Sequence, residues 1–230
     1  MADEYTANKM LVLLGLTGLV SGLVTSIFTL PAGDEAGFMS GMIFGSLLTG
    51  SLAISGVVPS VWKAQGMIVV ATVAYALSLF TAICIHWGYP QIVRSTEKWD
   101  VAIDEAASPI ALFVGGLIGG FLVLGAVALF FRPGIGKGAL MMTALLGAVL
   151  GGTLGVAGWA LRSSVGVAVW HFFRVLHLTP HGEQSPRTWF HGGYDYENSC
   201  RMYSIYVVWQ TGFALAAGIV LRGAPKTQKE

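Results

Sequence analysis

Six stretches of this chain carry almost no ionisable side chain, and each continues for about 20 residues. A bilayer core of about 30 Å needs roughly 20 residues at a rise of about 1.5 Å. The pattern therefore predicts membrane-spanning helices. The first covers 10–30 and stops at Pro31; the second covers 36–58 and stops at Pro59. A proline gives no N–H to the helical ladder and disfavours helix in the residue before it. The third covers 62–85 and closes on His86, Trp87 and Tyr89, residue types suited to the headgroup level. The fourth, 109–131, is expected to start with Ser108 as N-cap and Pro109 as first helical residue. The fifth covers 138–161 and the sixth 202–221. The expected fold class is all-α, a polytopic integral membrane helix bundle of about six transmembrane helices. It forms a single domain over 1–230, with long outer connections at 87–107 and 162–201.

Ser163 to Leu178 is too short to cross alone and contains His171, Arg174 and His177. At 100° per residue, Ser164, His171, Arg174 and His177 share one side, while Val165, Val169, Phe172, Phe173 and Leu176 cover much of the rest. That division predicts an interfacial helix between the fifth and sixth spans. The alternative is a prolongation of the fifth helix beyond the membrane.

Glycines recur at four-residue spacing inside four spans: Gly18 and Gly22 in the first, Gly37, Gly41 and Gly45 in the second, Gly115 and Gly119 (with Gly116 and Gly120) in the fourth, and Gly147, Gly151 and Gly155 in the fifth. Residues four apart lie on one helix face. Lipid supplies no hydrophobic drive between helices, so association rests on close contact that small residues permit. Thr17, Ser21 and Thr25 accompany the first row. Two glycine-rich spans followed by one aromatic span, repeated once, would make two inverted three-helix halves, an architecture some transporters share.

Composition agrees with a membrane location. Of 230 residues 54% are hydrophobic and 11% charged, against about 25% charged in soluble domains. A net charge of +1 with no basic tract predicts no nucleic-acid partner. Asp3 and Glu4 stand where a cleavable signal would be basic, so the first span is expected to be retained.

Six spans put both termini on one side. That side holds Lys9, Lys63, Arg132, Lys137, Arg222, Lys226 and Lys229; the other holds Arg94, Lys98, Arg162, Arg174, Arg187 and Arg201. The short connections at Lys63 and at Arg132–Lys137 are basic, whereas Asp34–Glu35 is not. Basic residues near span ends set orientation, so both termini are expected in the cytoplasm, of a bacterial inner membrane. Cys84 and Cys200 then lie near one face, where a disulfide is conceivable.

Ionisable groups at bilayer depth usually mark ion paths or proton relays. The six span interiors hold none, and Gln210 is their most conspicuous polar residue, expected to make an interhelical hydrogen bond. The candidate metal ligands His86, His171, His177, His181 and His191 all sit at or beyond the outer edge. His177 and His181 have helical ligand spacing, but Pro180 interrupts it, and neither a metalloprotease nor a di-iron pattern accompanies them. No catalytic constellation or cofactor is expected. Gly134 and Gly136 lack the preceding strand a dinucleotide site needs. The outer segment 186–197 is dense in aromatics and mixed charge, suiting a lid, an aromatic belt or a docking surface. The leading expectation is a non-catalytic structural or partner-binding subunit of a membrane complex, with the bilayer and other membrane proteins as partners. The alternatives are a small-solute transporter or channel, and a membrane redox or metal enzyme using the outer histidines.

Overall fold

The computed structural model describes residues 2–32, 36–58, 60–92, 101–176, 178 and 196–222. Among them every regular element is helical: α1 (Ala2–Ala32), α2 (Ala36–Ile54), α3 (Val61–Ile92), α4 (Val101–Phe131), α5 (Lys137–Ala160), α6 (Val165–Val175) and α7 (Tyr196–Leu221). Among the described residues five segments are long and apolar enough to cross a bilayer: Asn8–Phe28, Val61–His86, Ser108–Phe131, Lys137–Ser163 and Cys200–Leu221. The apolar part of α2, Phe38–Ile54, is shorter. The whole of α2 still has 19 residues, about 28 Å at the helical rise.

The helices form a closed ring. α1 packs on α2, α2 on α3, α3 on α4, α4 on α5, α5 on α7, and α7 returns to α1. Neighbours run antiparallel. Gly15, Gly18 and Gly22 of α1 meet Leu215, Thr211 and Val207 of α7 in reverse order. The same reversal pairs Gly41 and Gly45 with Thr72 and Ile68, and Gly66 and Gly115 with Phe130 and Ser78. The core runs through the middle of the ring and includes Phe44, Leu48, Tyr75, Val123, Val127, Trp209 and Phe213.

Several helix boundaries depart from the sequence expectation. α2 ends at Ile54 rather than near Val58. Gly56 takes φ +73°, its N–H bonds the Ala53 carbonyl at 2.9 Å, and the Val57 N–H bonds the Leu52 carbonyl at 3.0 Å. This is a Schellman stop, and it acts before Pro59 can. α4 begins at Val101, so Ser108 is not its N-cap and Pro109 lies inside the helix. A proline there removes the bond to the Glu105 carbonyl and crowds it with its ring, at a point before the apolar stretch that starts at Ser108. Pro109 marks where the helix enters the apolar layer, not where it starts. α3 likewise continues through Pro90 to Ile92, and α1 through Pro31 to Ala32. The turn between α4 and α5 uses Gly134 at φ +75°.

α5 gives way to a short 3-10 turn, Leu161–Ser163, before α6. Arg162 anchors this break: its Nη1 donates to the Trp159 carbonyl at 3.2 Å, and its guanidinium lies 3.9 Å from the Trp159 ring. α6 is a separate helix, not a prolongation of α5. Val169 and Phe173 pack with Tyr203 and Val207 of α7 and with Leu23 and Ile27 of α1, while His171, Phe172, Arg174 and Val175 are exposed. Part of the apolar face assigned from sequence to lipid is therefore covered by the protein itself.

Candidate functional site

The glycine rows bring backbones into direct contact. On α4 and α5, Gly116 lies against the Gly151 carbonyl and Gly120 against the Gly147 carbonyl, and each relation is reciprocal. A side chain on any of the four would collide with the opposite main chain. Gly155 approaches the Leu112 carbonyl in the same way, with a hypothetical Cβ at 2.7 Å. Gly115 and Gly119 face Ser78 of α3, and Gly41 faces Ala71 and Thr72. Gly18 would place a Cβ 2.6 Å from Thr211 Cα, and Gly22 one 2.6 Å from Val207 Cα. The surroundings of Gly37 lie outside the described residues.

Close backbones leave the centre to large side chains. Trp209 lies tilted against Phe213 with ring centroids 4.1 Å apart and meets Tyr75 edge-on at 4.7 Å. Phe44 completes the group at 5.9 Å from Tyr75 and 6.2 Å from Trp209. These rings come from α2, α3 and α7 and fill the middle of the ring as a plug. Offset and edge-on aromatic pairs of this kind add roughly 0.5–1.5 kcal/mol each beyond their buried area.

A polar flank runs beside the plug. Gln210 is fully buried; its Nε2 donates to Thr25 Oγ1 at 3.0 Å, joining α7 to α1 as expected. Thr17 donates to the Leu13 carbonyl at 2.8 Å and lies 2.6 Å from Ser51 Oγ. A hydroxyl has one proton to give, so Ser51 is the donor between α2 and α1. Thr17, Ser21 and Thr25, four residues apart, thus form one buried hydroxyl row on α1. The Tyr75 hydroxyl lies beside the Gln210 carboxamide, yet it makes no hydrogen bond to any described group, and neither do the hydroxyls of Ser21, Ser204 and Thr211.

The sequence reading marked Gln210 and the glycines but missed the plug. Tyr75, Trp209 and Phe213 were visible only as aromatics in spans, and Phe44 carried no signal. The hydroxyl row beside Gly18 and Gly22 was the available clue, because it requires partners from two other helices.

The structure does not gather the histidines it describes into a site. His86 is buried toward the C-terminal end of α3 and has an interaction partner, whereas His171 is exposed on α6. His177, His181 and His191 lie outside the described residues. Among the described residues no three His, Cys, Asp or Glu side chains come together in a set able to hold a metal. Cys84 and Cys200 are both free thiols, the first exposed and the second buried.

The chain matches no family model, and neither the curated proteins nor the solved structures offer a match to it.

Proposed function

We propose that this chain is a non-catalytic subunit of a membrane complex, acting through its surfaces and not through a conduit. In this reading α2 crosses with the five longer helices, both termini are cytoplasmic, and the membrane is a bacterial inner membrane. α6 lies at the outer interface, with Phe172 and Val175 in the lipid boundary and Arg174 at the headgroups. The observation that carries the reading is the aromatic plug of Phe44, Tyr75, Trp209 and Phe213 at the centre of the ring. A core filled by rings and sealed by backbone contact transmits packing, not solute. The partner then meets the outer connections 87–107 and 162–201. Crosslinking in intact membranes followed by purification in mild detergent tests this. A stoichiometric partner whose capture is lost on replacing Arg187, Trp189 and Phe190 together is the expected result. A chain that purifies alone and moves solute into proteoliposomes overturns it.

One observation favours a second reading, a transporter of a small uncharged solute made of two inverted halves. The interfaces that join the halves resemble each other: two glycines four apart on α1 face α7, and two glycines four apart on α4 face α3. The unbonded hydroxyls of Ser21, Tyr75, Ser204 and Thr211 would then serve a solute when the plug moves. Flux in proteoliposomes that Trp209→Ala alters would favour this reading; sealed vesicles for both proteins would remove it.

A further inference from the structure

Three buried hydrogen-bonding side chains, from three helices, converge beside the aromatic plug without satisfying one another. Gln210 of α7 and Ser21 of α1 are fully buried, and Tyr75 of α3 is 8% exposed. The Gln210 carboxamide offers two N–H donors on Nε2 and two lone pairs on Oε1. Among the described residues it bonds Thr25 alone, with Nε2 donating at 3.0 Å and Oε1 a loose 3.4 Å from the same hydroxyl. The Tyr75 hydroxyl lies beside this carboxamide. It bonds no described group, and nor does Ser21 Oγ.

Helix register brings Ser21 to the same point. Gly18 meets the Gln210 carbonyl and Gly22 meets Val207, so Ser21 stands between those two levels on the face of α1 that looks toward α7. Side chains lean toward the N-terminus of their own helix. Thr25 and Gln210, on antiparallel helices, therefore lean toward each other's level. Their bond forms beside the turn of α1 that runs from Ser21 to Thr25.

Leaving such groups unpaired in an apolar interior is costly. Two idle hydroxyls and a half-used carboxamide at one point can all be served by a small molecule with donors and acceptors of its own. All three side chains are uncharged, which selects a neutral occupant over an ion. Buried waters make about three hydrogen bonds, to polar groups that otherwise lack partners. We infer that one water molecule is held here, donating to Gln210 Oε1 and to Ser21 Oγ and accepting from the Tyr75 hydroxyl. The bridge joins α1, α3 and α7, and through Tyr75 it ties the polar flank to the plug, where that ring meets Trp209. The inference concerns the ring with its plug in place and rests on neither reading of function. Sealed vesicles or a missing protein partner leave it standing.

The test uses the full chain in lipid nanodiscs, exposed to a brief X-ray pulse. Radiolysis of a held water releases hydroxyl radical beside the side chains that hold it, and peptide mass spectrometry reads the oxygen added. Tyr75 is expected to gain oxygen although it is buried, while Phe131, 1% exposed, gains none. This comparison is made on wild type and needs no variant to fold. Ser21→Val, which removes the hydroxyl and fills its space, should abolish the labelling of Tyr75. Ser46→Val, at an exposed position of α2, should leave it unchanged. Thermal unfolding gives an independent readout. Ser21→Ala and Tyr75→Phe should be coupled in a double-mutant cycle, because the two hydroxyls share a partner. An unlabelled Tyr75 in wild type, or equal labelling of Phe131, overturns the inference. So does labelling that survives Ser21→Val, an equal loss in Ser46→Val, or strictly additive effects of the two hydroxyl deletions.

Discussion

Replacing Gly120 by alanine tests whether backbone contact holds α4 to α5. A methyl carbon built at Gly120 falls against the Gly147 carbonyl oxygen, 2.8 Å from the Gly147 carbonyl carbon and 2.9 Å from Phe213 Cζ. Non-bonded carbons rest at about 3.5–4.0 Å, so α4 must retreat by about 0.7 Å or more. Two of the three obstructing atoms are main chain and cannot turn aside. Overpacking of this kind costs roughly 1–3 kcal/mol, and alanine returns up to about 1 kcal/mol in helix propensity. The net expectation is a loss of about 1–2 kcal/mol. For a chain of this size that lowers the melting temperature by roughly 2–8 °C. Retreat of α4 also moves Phe213, and with it the adjoining Trp209. Thermal unfolding in one detergent, followed by far-ultraviolet circular dichroism and tryptophan emission, reads both effects. Gly50→Ala is the internal reference, because nothing lies within 4 Å of a Cβ there. It should stabilise α2 by about 0.5–1 kcal/mol. A Gly120→Ala protein that melts at or above wild type would refute the reasoning, because a uniform benefit from alanine would mean the two backbones do not touch.

Two further outcomes follow from the polar flank and the thiols. A double-mutant cycle of Gln210→Leu and Thr25→Val should give a coupling of about 0.6 kcal/mol, within the range of hydrogen bonds between membrane helices; a coupling indistinguishable from zero would deny the bond. Thiol titration in sodium dodecyl sulfate without reductant should count two free cysteines per chain, and a count of zero would place Cys84 and Cys200 in a disulfide.

Much of the architecture could be read from residue patterns, because lipid imposes a strong rule. Backbone groups must be satisfied within each spanning segment, so long uncharged runs mark helices without knowledge of their neighbours. Glycine spacing carried the next level. Gly18, Gly22, Gly41, Gly115, Gly147, Gly151 and Gly155 lie against backbone, although spacing alone did not say which helix each row meets. Gly18 and Gly22 face α7, which is remote in sequence, while Gly151 faces the adjacent α4. Helix ends were less legible. Pro59 and Pro109 looked like punctuation, yet Gly56 stops α2 first and α4 runs through Pro109. A helix can run through a proline when the lost bond and the crowded carbonyl fall outside its apolar stretch. The plug was the least legible feature, since Phe44, Tyr75, Trp209 and Phe213 acquire meaning only once three helices converge.

The joining of α1 to α7 has a consequence for biogenesis. Thr25 and Gln210 are 185 residues apart, and a ribosome adding about 5–20 residues per second takes roughly 10–40 s between them. Ser51 arrives early to satisfy Thr17, but the glycine face of α1 must wait in lipid until α7 has been made. Nascent chains halted before α7 would expose that face to any small-residue helix nearby. The ring can close around α1 only after that interval, so the order of synthesis makes the α1–α7 seam the last of its contacts to form.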